Sequence, residues 1–191
     1  MSKVAAGFIA SGNFIMNEIH PYNDYSSIPK GTRLLIIGTA PPPRFSKPRP
    51  ENWKLPSGDV DFYYGSKDNL LWNDIFSELY RESFPLGHNP SADKRRSFLK
   101  SQKLWMHDIC EQYTRNGPGA LDDDLVVLTH ADLRRVLEEH ETIDTLVFTG
   151  RKAEMCSGKQ MEIQKLIGPT NLGPPAYRQS VCRDRDRYQL R

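Results

Sequence analysis

Apolar residues fall in short, sharply bounded runs along the chain. "LLIIG", Leu34 to Gly38, follows the turn residues Pro29 and Gly31 and ends where Pro41, Pro42 and Pro43 begin. A short apolar run with β-branched members, closed at both ends by turn residues, predicts a buried strand. "DTLVFTG", centred on Val147 and Phe148, predicts a second one, with a helix opening after Gly150 in "RKAEMC". From Asn69 onward Leu70, Leu71, Ile75, Phe76, Leu79 and Tyr80 recur at helical spacing and predict an amphipathic helix ending near Phe84-Pro85.

"NPSADKRRSFLKSQ" predicts a short basic helix with Ser91 as its N-cap and Asp93 in its first turn. "THADLRRVLEEHE" sets Thr129 three residues before Asp132, a start resembling a capping box. "KLWMHDICEQY" reads as a strand running into a loop, and "AYRQSVCRDRDRYQLR" as a helix of alternating charge. Strands joined by helical connections predict an α/β protein: three αβα layers around a mainly parallel central sheet, in a single domain over residues 1–191 with its core in about 30–190. Residues 41–60 and 157–176 are expected to be long loops, which in a compact domain are more often functional than idle.

Composition narrows the class without naming a function. The 191 residues, 38% hydrophobic and 26% charged, suit one globular domain with a substantial core. Lys and Arg number 26 against 24 Asp and Glu, so a nucleic-acid surface would have to come from local clustering. Cys110, Cys156 and Cys182 form no CxxC pair, which argues against a disulfide framework, a four-cysteine zinc site or an iron–sulfur cluster. The five histidines, His20, His88, His107, His130 and His140, lack close ligand spacing, so neither metal nor cofactor is expected. No run approaches bilayer length and the first twenty residues are too polar for a clear secretory signal, so the expectation is a soluble intracellular protein, cytoplasmic, or nuclear in a eukaryote. Phosphate-cradling GxxxxGK[ST] and GxGxxG patterns do not occur, nor does a GxSxG nucleophile elbow.

The candidate chemistry gathers where the first strand ends. Open α/β sheets bind ligands beyond the carboxyl ends of their strands. There the turn lets backbone approach a ligand closely at Gly38 and Ala40, and Pro41, Pro42 and Pro43 stiffen the wall. The alternative reading is a strand that stops in a proline-rich surface loop. "DFYYGSKDNLLW" then supplies the aromatic faces of Phe62, Tyr63 and Tyr64, Asn69 at a helix mouth, and Trp72 one turn in.

These blocks resemble the uracil-DNA glycosylase superfamily, especially its mismatch-specific and deoxyinosine-glycosylase-like members. The "G-x-x-P" turn after the first strand is matched at Gly38 to Pro41, and the aromatic-then-"N-x-x-W" block at Tyr64 to Trp72. "LWMHDICEQYTRNGPGALDDDL" is similar to "L-W-D-V, then R-x-G-S-x-D", with Asp108 and Arg115 as counterparts. "LVFTGRKAE" is similar to "F-x-G-x-K-A", and "NLGPPAYRQS" stands where the family has a Ser-Pro-rich loop.

The resemblance implies a monomeric, cofactor-free enzyme that excises a deaminated base, uracil or hypoxanthine, flipped out of single- or double-stranded DNA. It implies Asn69 and Asp108 as catalytic residues. Tyr64, or else Tyr63, would stack on the base, with Gly38, Thr39, Ala40 and Pro41 lining its pocket. Gly173, Pro174, Tyr177 and Arg178 would contact the DNA strand. Each residue keeps a plainer alternative: Asn69 as a helix N-cap, Asp108 as a turn carboxylate, and Lys94, Arg95 and Arg96 as a solvated face. Ala40 stands where classical members orient water with Asp or Asn, which leaves open a binding homologue without hydrolysis. An unrelated α/β domain that binds a free nucleotide is the third reading.

Overall fold

A computed structural model describes residues 17–84, 91–117, 119 and 121–160. The chain is α/β, and its described strands form two small sheets rather than one. In the parallel sheet β2 (Leu34–Gly38) lies between β3 (Leu104–Asp108) and β6 (Thr145–Phe148). Leu35, Ile36 and Ile37 are buried, and so is all of β3, as expected of strands covered on both faces. The register pairs Gly38 with Asp108 on one side and Ile37 with Phe148 on the other, so all three strands end at one rim.

The second sheet is where the sequence reading falls short. After Asp108 the chain bends: the Ile109 and Cys110 amides donate to the Gly38 and Thr39 carbonyls at 3.0 and 3.2 Å. It then forms β4 (Cys110–Arg115), not a loop. With β1 (Glu18–Ile19) and β5 (Leu125–His130), β4 makes an antiparallel sheet ordered β1-β4-β5. Register shifts in the β4–β5 pairing interrupt the alternation that would betray a strand.

The described helices lie close to their predicted places, except that the first closes at Tyr80 instead of near Phe84-Pro85 and winds partly as a π-helix, and that the cap of the third differs. The tail helix lies outside the described residues. From Leu71 to Phe76 the chain winds as a π-helix before α1 (Ser77–Tyr80) closes with Arg81 in the left-handed region. α2 spans Ser91–Ser101 and α4 spans Arg151–Gln160. Thr129 belongs to β5, so the cap of α3 (Leu133–Glu139) is Asp132, whose Oδ1 accepts from the Arg135 amide at 3.0 Å. No helix of the described residues is long and apolar enough to cross a membrane.

An aromatic cluster joins the first helical segment to the sheet. Trp72 meets Phe76 and Phe84 edge-on at 5.1 and 5.0 Å, while its indole N–H donates to the Tyr63 carbonyl at 2.9 Å. Arg95 is part of this core rather than of a solvated face. Only 1% exposed, its guanidinium lies 5.0 Å from the Trp72 ring, and burial lowers its pKa to about 10. The aromatic face replaces water as the partner of the charge. Lys94 and Arg96 remain half-exposed, beside Glu82 and Asp93 respectively.

The loop after β2 is pinned, not slack. Arg44 binds Asp59 and Ser66, and Arg49 pairs with Asp61 at 2.8 Å while lying 3.8 Å from the Trp53 ring. Its far side turns at Gly65, where a Cβ would sit 1.8 Å from the Val60 carbonyl oxygen. No side-chain rotation relieves a clash with backbone. Gly65→Ala is therefore expected to cost at least about 2 kcal/mol, measured as a lowered urea midpoint.

Candidate functional site

Three strand ends and two distant segments converge at the rim. Gly38 is the pivot. A Cβ there would lie 2.2 Å from the Tyr64 hydroxyl and 2.4 Å from Asp108 Oδ1. Only glycine lets both polar atoms approach the same point of the backbone.

Tyr64 reaches Gly38 because its own backbone is left-handed, with φ of 53°. That conformation is uncommon for a bulky residue, and such strain is often stored at functional sites. Its hydroxyl is 2.9 Å from Thr149 Oγ1, which also reaches the Ile37 carbonyl at 3.3 Å. The carbonyl can only accept, so the threonine hydrogen goes there and the tyrosine donates to Thr149. Burial, with the nearby Asp108 charge, pushes the Tyr64 phenol well above its ordinary pKa, so it remains a neutral hydroxyl.

Tyr63 points the other way. It is 3% exposed, packs 5.6 Å from the His20 ring, and donates to the Tyr22 carbonyl at 2.8 Å. Its ring face belongs to the interior, leaving Tyr64 as the aromatic wall of the rim.

Asp108 is buried, and its two oxygens differ. Oδ2 lies 2.8 Å from His20 Nε2, whereas Oδ1, on the Gly38 side, has no hydrogen-bond partner among the described residues. A buried carboxylate oxygen without a donor costs about 1–3 kcal/mol or more, so its persistence needs a reason. The His20 tautomer follows from its other nitrogen: Nδ1 accepts from the Tyr22 and Asn23 amides at 3.1 and 3.0 Å. The ring hydrogen therefore sits on Nε2 and is donated to Asp108.

A second carboxyl group approaches from the loop before β5. Asp122 Oδ2 accepts from the Thr39 hydroxyl at 2.9 Å, and a Cβ on Gly150 would lie 3.6 Å from it. Burial raises the Asp122 pKa, the Thr39 bond and Lys152 oppose that, and the Asp108 charge adds to it. Lys152 is spent on the Asp122 and Leu125 carbonyls. Arg115, paired with Glu18 at 2.9 Å, donates to the buried Pro41 carbonyl and so fixes the first proline of the turn.

Asn69 is half-buried, and its Oδ1 accepts from the Leu71 amide at 2.9 Å. This is a capping bond, and it leaves Nδ2 for other use. Ala40 packs half-buried against the core. Gly173, Pro174, Tyr177 and Arg178 lie outside the described residues. Sequence reasoning passed over His20, Asp122 and Thr149. No cluster of His, Cys, Asp or Glu suited to a metal occurs among the described residues.

Comparison of the chain with protein-family models, curated proteins and solved structures returns no match.

His107, next to Asp108 in sequence, faces the opposite side of β3. It is fully buried, with Nδ1 2.9 Å from the Asp108 carbonyl, and burial drives its pKa down to about 4. The unfolded chain takes up this proton near pH 6.5 and the folded one only near pH 4, so stability falls as pH drops through that window. The expected loss is about 3 kcal/mol. Urea midpoints measured from pH 7 to pH 4 are expected to fall less steeply in His107→Gln.

Proposed function

We propose that this protein hydrolyses the N-glycosidic bond of a deaminated base, uracil or hypoxanthine, flipped out of DNA. The observation that carries the reading is the meeting of Asp108 Oδ1 and the Tyr64 hydroxyl at the bare Cα of Gly38. Both the turn and the two side chains come from the blocks that resemble the uracil-DNA glycosylase superfamily. The same reading takes the parallel sheet as the centre of a three-layer αβα domain of that family's type.

The reaction breaks the bond from the sugar C1′ to the base nitrogen, and the electron pair leaves with the base. The sugar passes through an oxocarbenium-like state that water attacks. Asp108 Oδ1 accepts the proton of that water, and its negative charge faces the developing positive sugar. Oδ2 is occupied by His20, so Oδ1, which has no partner among the described residues, is the oxygen that acts. Tyr64 offers the ring against which the extruded base stacks, an interaction worth about 1–3 kcal/mol. Its neutral hydroxyl adds no charge to repel a base leaving as an anion. Asn69 keeps an amide donor for a base oxygen while its carbonyl caps the helix. Contacts to the flanking phosphates fall, on the family resemblance, to Gly173, Pro174, Tyr177 and Arg178.

The test is an assay on oligonucleotides carrying a single uracil or hypoxanthine, read as abasic sites. The expected result is cleavage by the wild-type protein and a loss of at least about a hundredfold in Asp108→Asn, within the range for removing a general base. DNA binding without cleavage points instead to a homologue that keeps the pocket alone, the alternative favoured by Ala40. Absence of both removes the DNA reading.

Two further variants separate chemistry from folding. Asn69→Asp preserves the capping oxygen but removes the amide donor, so it is expected to melt like wild type and excise at least about tenfold more slowly, the scale of one lost polar contact. Gly38→Ala places a methyl where the Tyr64 and Asp108 ends now sit. Those are movable side-chain ends, so the variant is expected to keep its circular dichroism spectrum and lose excision.

A further inference from the structure

We infer that residues 20–23 form a clamp that positions Asp108, with His20 as its decisive member; this rests on Asp108 being the base proposed above.

Asp108 terminates β3, where the parallel pairing also stops, so the sheet itself does not fix its side chain. The segment from His20 to Asn23 supplies what the sheet does not. The Asn23 carboxamide takes both backbone groups of Asp108, its Oδ1 accepting from the Asp108 amide at 3.1 Å and its Nδ2 donating to the Asp108 carbonyl at 2.8 Å. The same Nδ2 reaches the Cys110 carbonyl at 3.2 Å, and Oδ1 lies 3.1 Å from the Tyr63 hydroxyl, whose hydrogen goes to the shorter Tyr22 contact. Asn23 thus imitates a neighbouring strand at the place where the chain bends away.

His20 acts on the side chain. With Nδ1 saturated by two backbone amides, its Nε2–H points one way only, at Asp108 Oδ2. The imidazole is itself buried, wedged between Tyr22 at 5.8 Å and Tyr63 at 5.6 Å, and the His20 amide is tied to the Glu111 carbonyl at 2.8 Å. A carboxylate gripped by one oxygen through a locked donor has its other oxygen aimed by geometry. That aim is toward Gly38, where Oδ1 has no partner among the described residues. His20 touches no reacting atom in this account; it fixes the orientation of the group that does. A side chain held by packing and by a directed hydrogen bond is the usual way a reacting group is kept within a fraction of an ångström of its productive position.

The test measures single-turnover excision and DNA affinity for wild type, His20→Ala, His20→Gln and Asp108→Asn, with melting temperatures as controls. His20→Ala is expected to lower the excision rate by about ten- to a hundredfold, the scale for losing a partner that orients a reacting group, with affinity unchanged. Added imidazole is expected to restore part of the rate, by refilling the space with a donor. His20→Gln, which keeps an N–H near the position of Nε2, is expected to stay closer to wild type. Wild-type cleavage lost in Asp108→Asn but unchanged in His20→Ala overturns the clamp and leaves the glycosylase reading standing. A His20→Ala defect confined to affinity, or one shared equally by His20→Gln and untouched by imidazole, also overturns it. A wild-type protein that cleaves neither lesion overturns both.

Discussion

The pairing of Gly38 with Asp108 across two parallel strands is the constraint from which the rim takes its shape. Parallel strands in register end together, so their last residues face one crevice. Here one of those residues has no side chain and its neighbour carries a carboxylate. The empty space above Gly38 admits the Asp108 oxygen from one side and the Tyr64 hydroxyl from another. Any other residue at 38 would force at least one of them out.

Around that pairing, the molecule spends structure on holding polar groups still. Tyr64 adopts a left-handed backbone, and Gly65 packs its Cα against backbone where no side chain fits. Arg44, Arg49 and Arg115 tie the proline turn and its loop to Asp59, Asp61 and the Pro41 carbonyl. The stiffness suggested by three consecutive prolines is thus shared with Arg44 and Arg49 of the loop itself and with Arg115 of β4.

Much of this was legible in the sequence, for particular reasons. β2 announced itself because a strand buried on both faces is a continuous apolar run; β6 reads the same way in the sequence, yet Leu146, Val147 and Phe148 are only half-buried and Thr145 is exposed. Asp108 came forward through the order of the motif blocks, and Tyr64 through that order together with the local aromatic run Phe62, Tyr63 and Tyr64. His20 was missed because its partner is 88 positions away, and a histidine next to a proline carries no mark of that distant contact. β4 was missed because its pairing with β5 slips, hiding the period of two. The choice between Tyr63 and Tyr64 turned on a left-handed residue that no periodicity predicts. Arg95 looked solvated because a basic triplet on a helix usually is; an indole face beneath it changes the balance.

The most direct test of the central claim is a crystal structure of the protein with an oligonucleotide containing a 2′-fluorinated deoxyuridine, whose glycosidic bond resists cleavage. The expected result is the uracil extruded against the Gly38 turn, its ring on Tyr64, with Asp108 Oδ1 in hydrogen-bonding reach of a water beneath C1′. A base still stacked in the duplex, or one bound away from Gly38 with Asp108 facing protein alone, would contradict it.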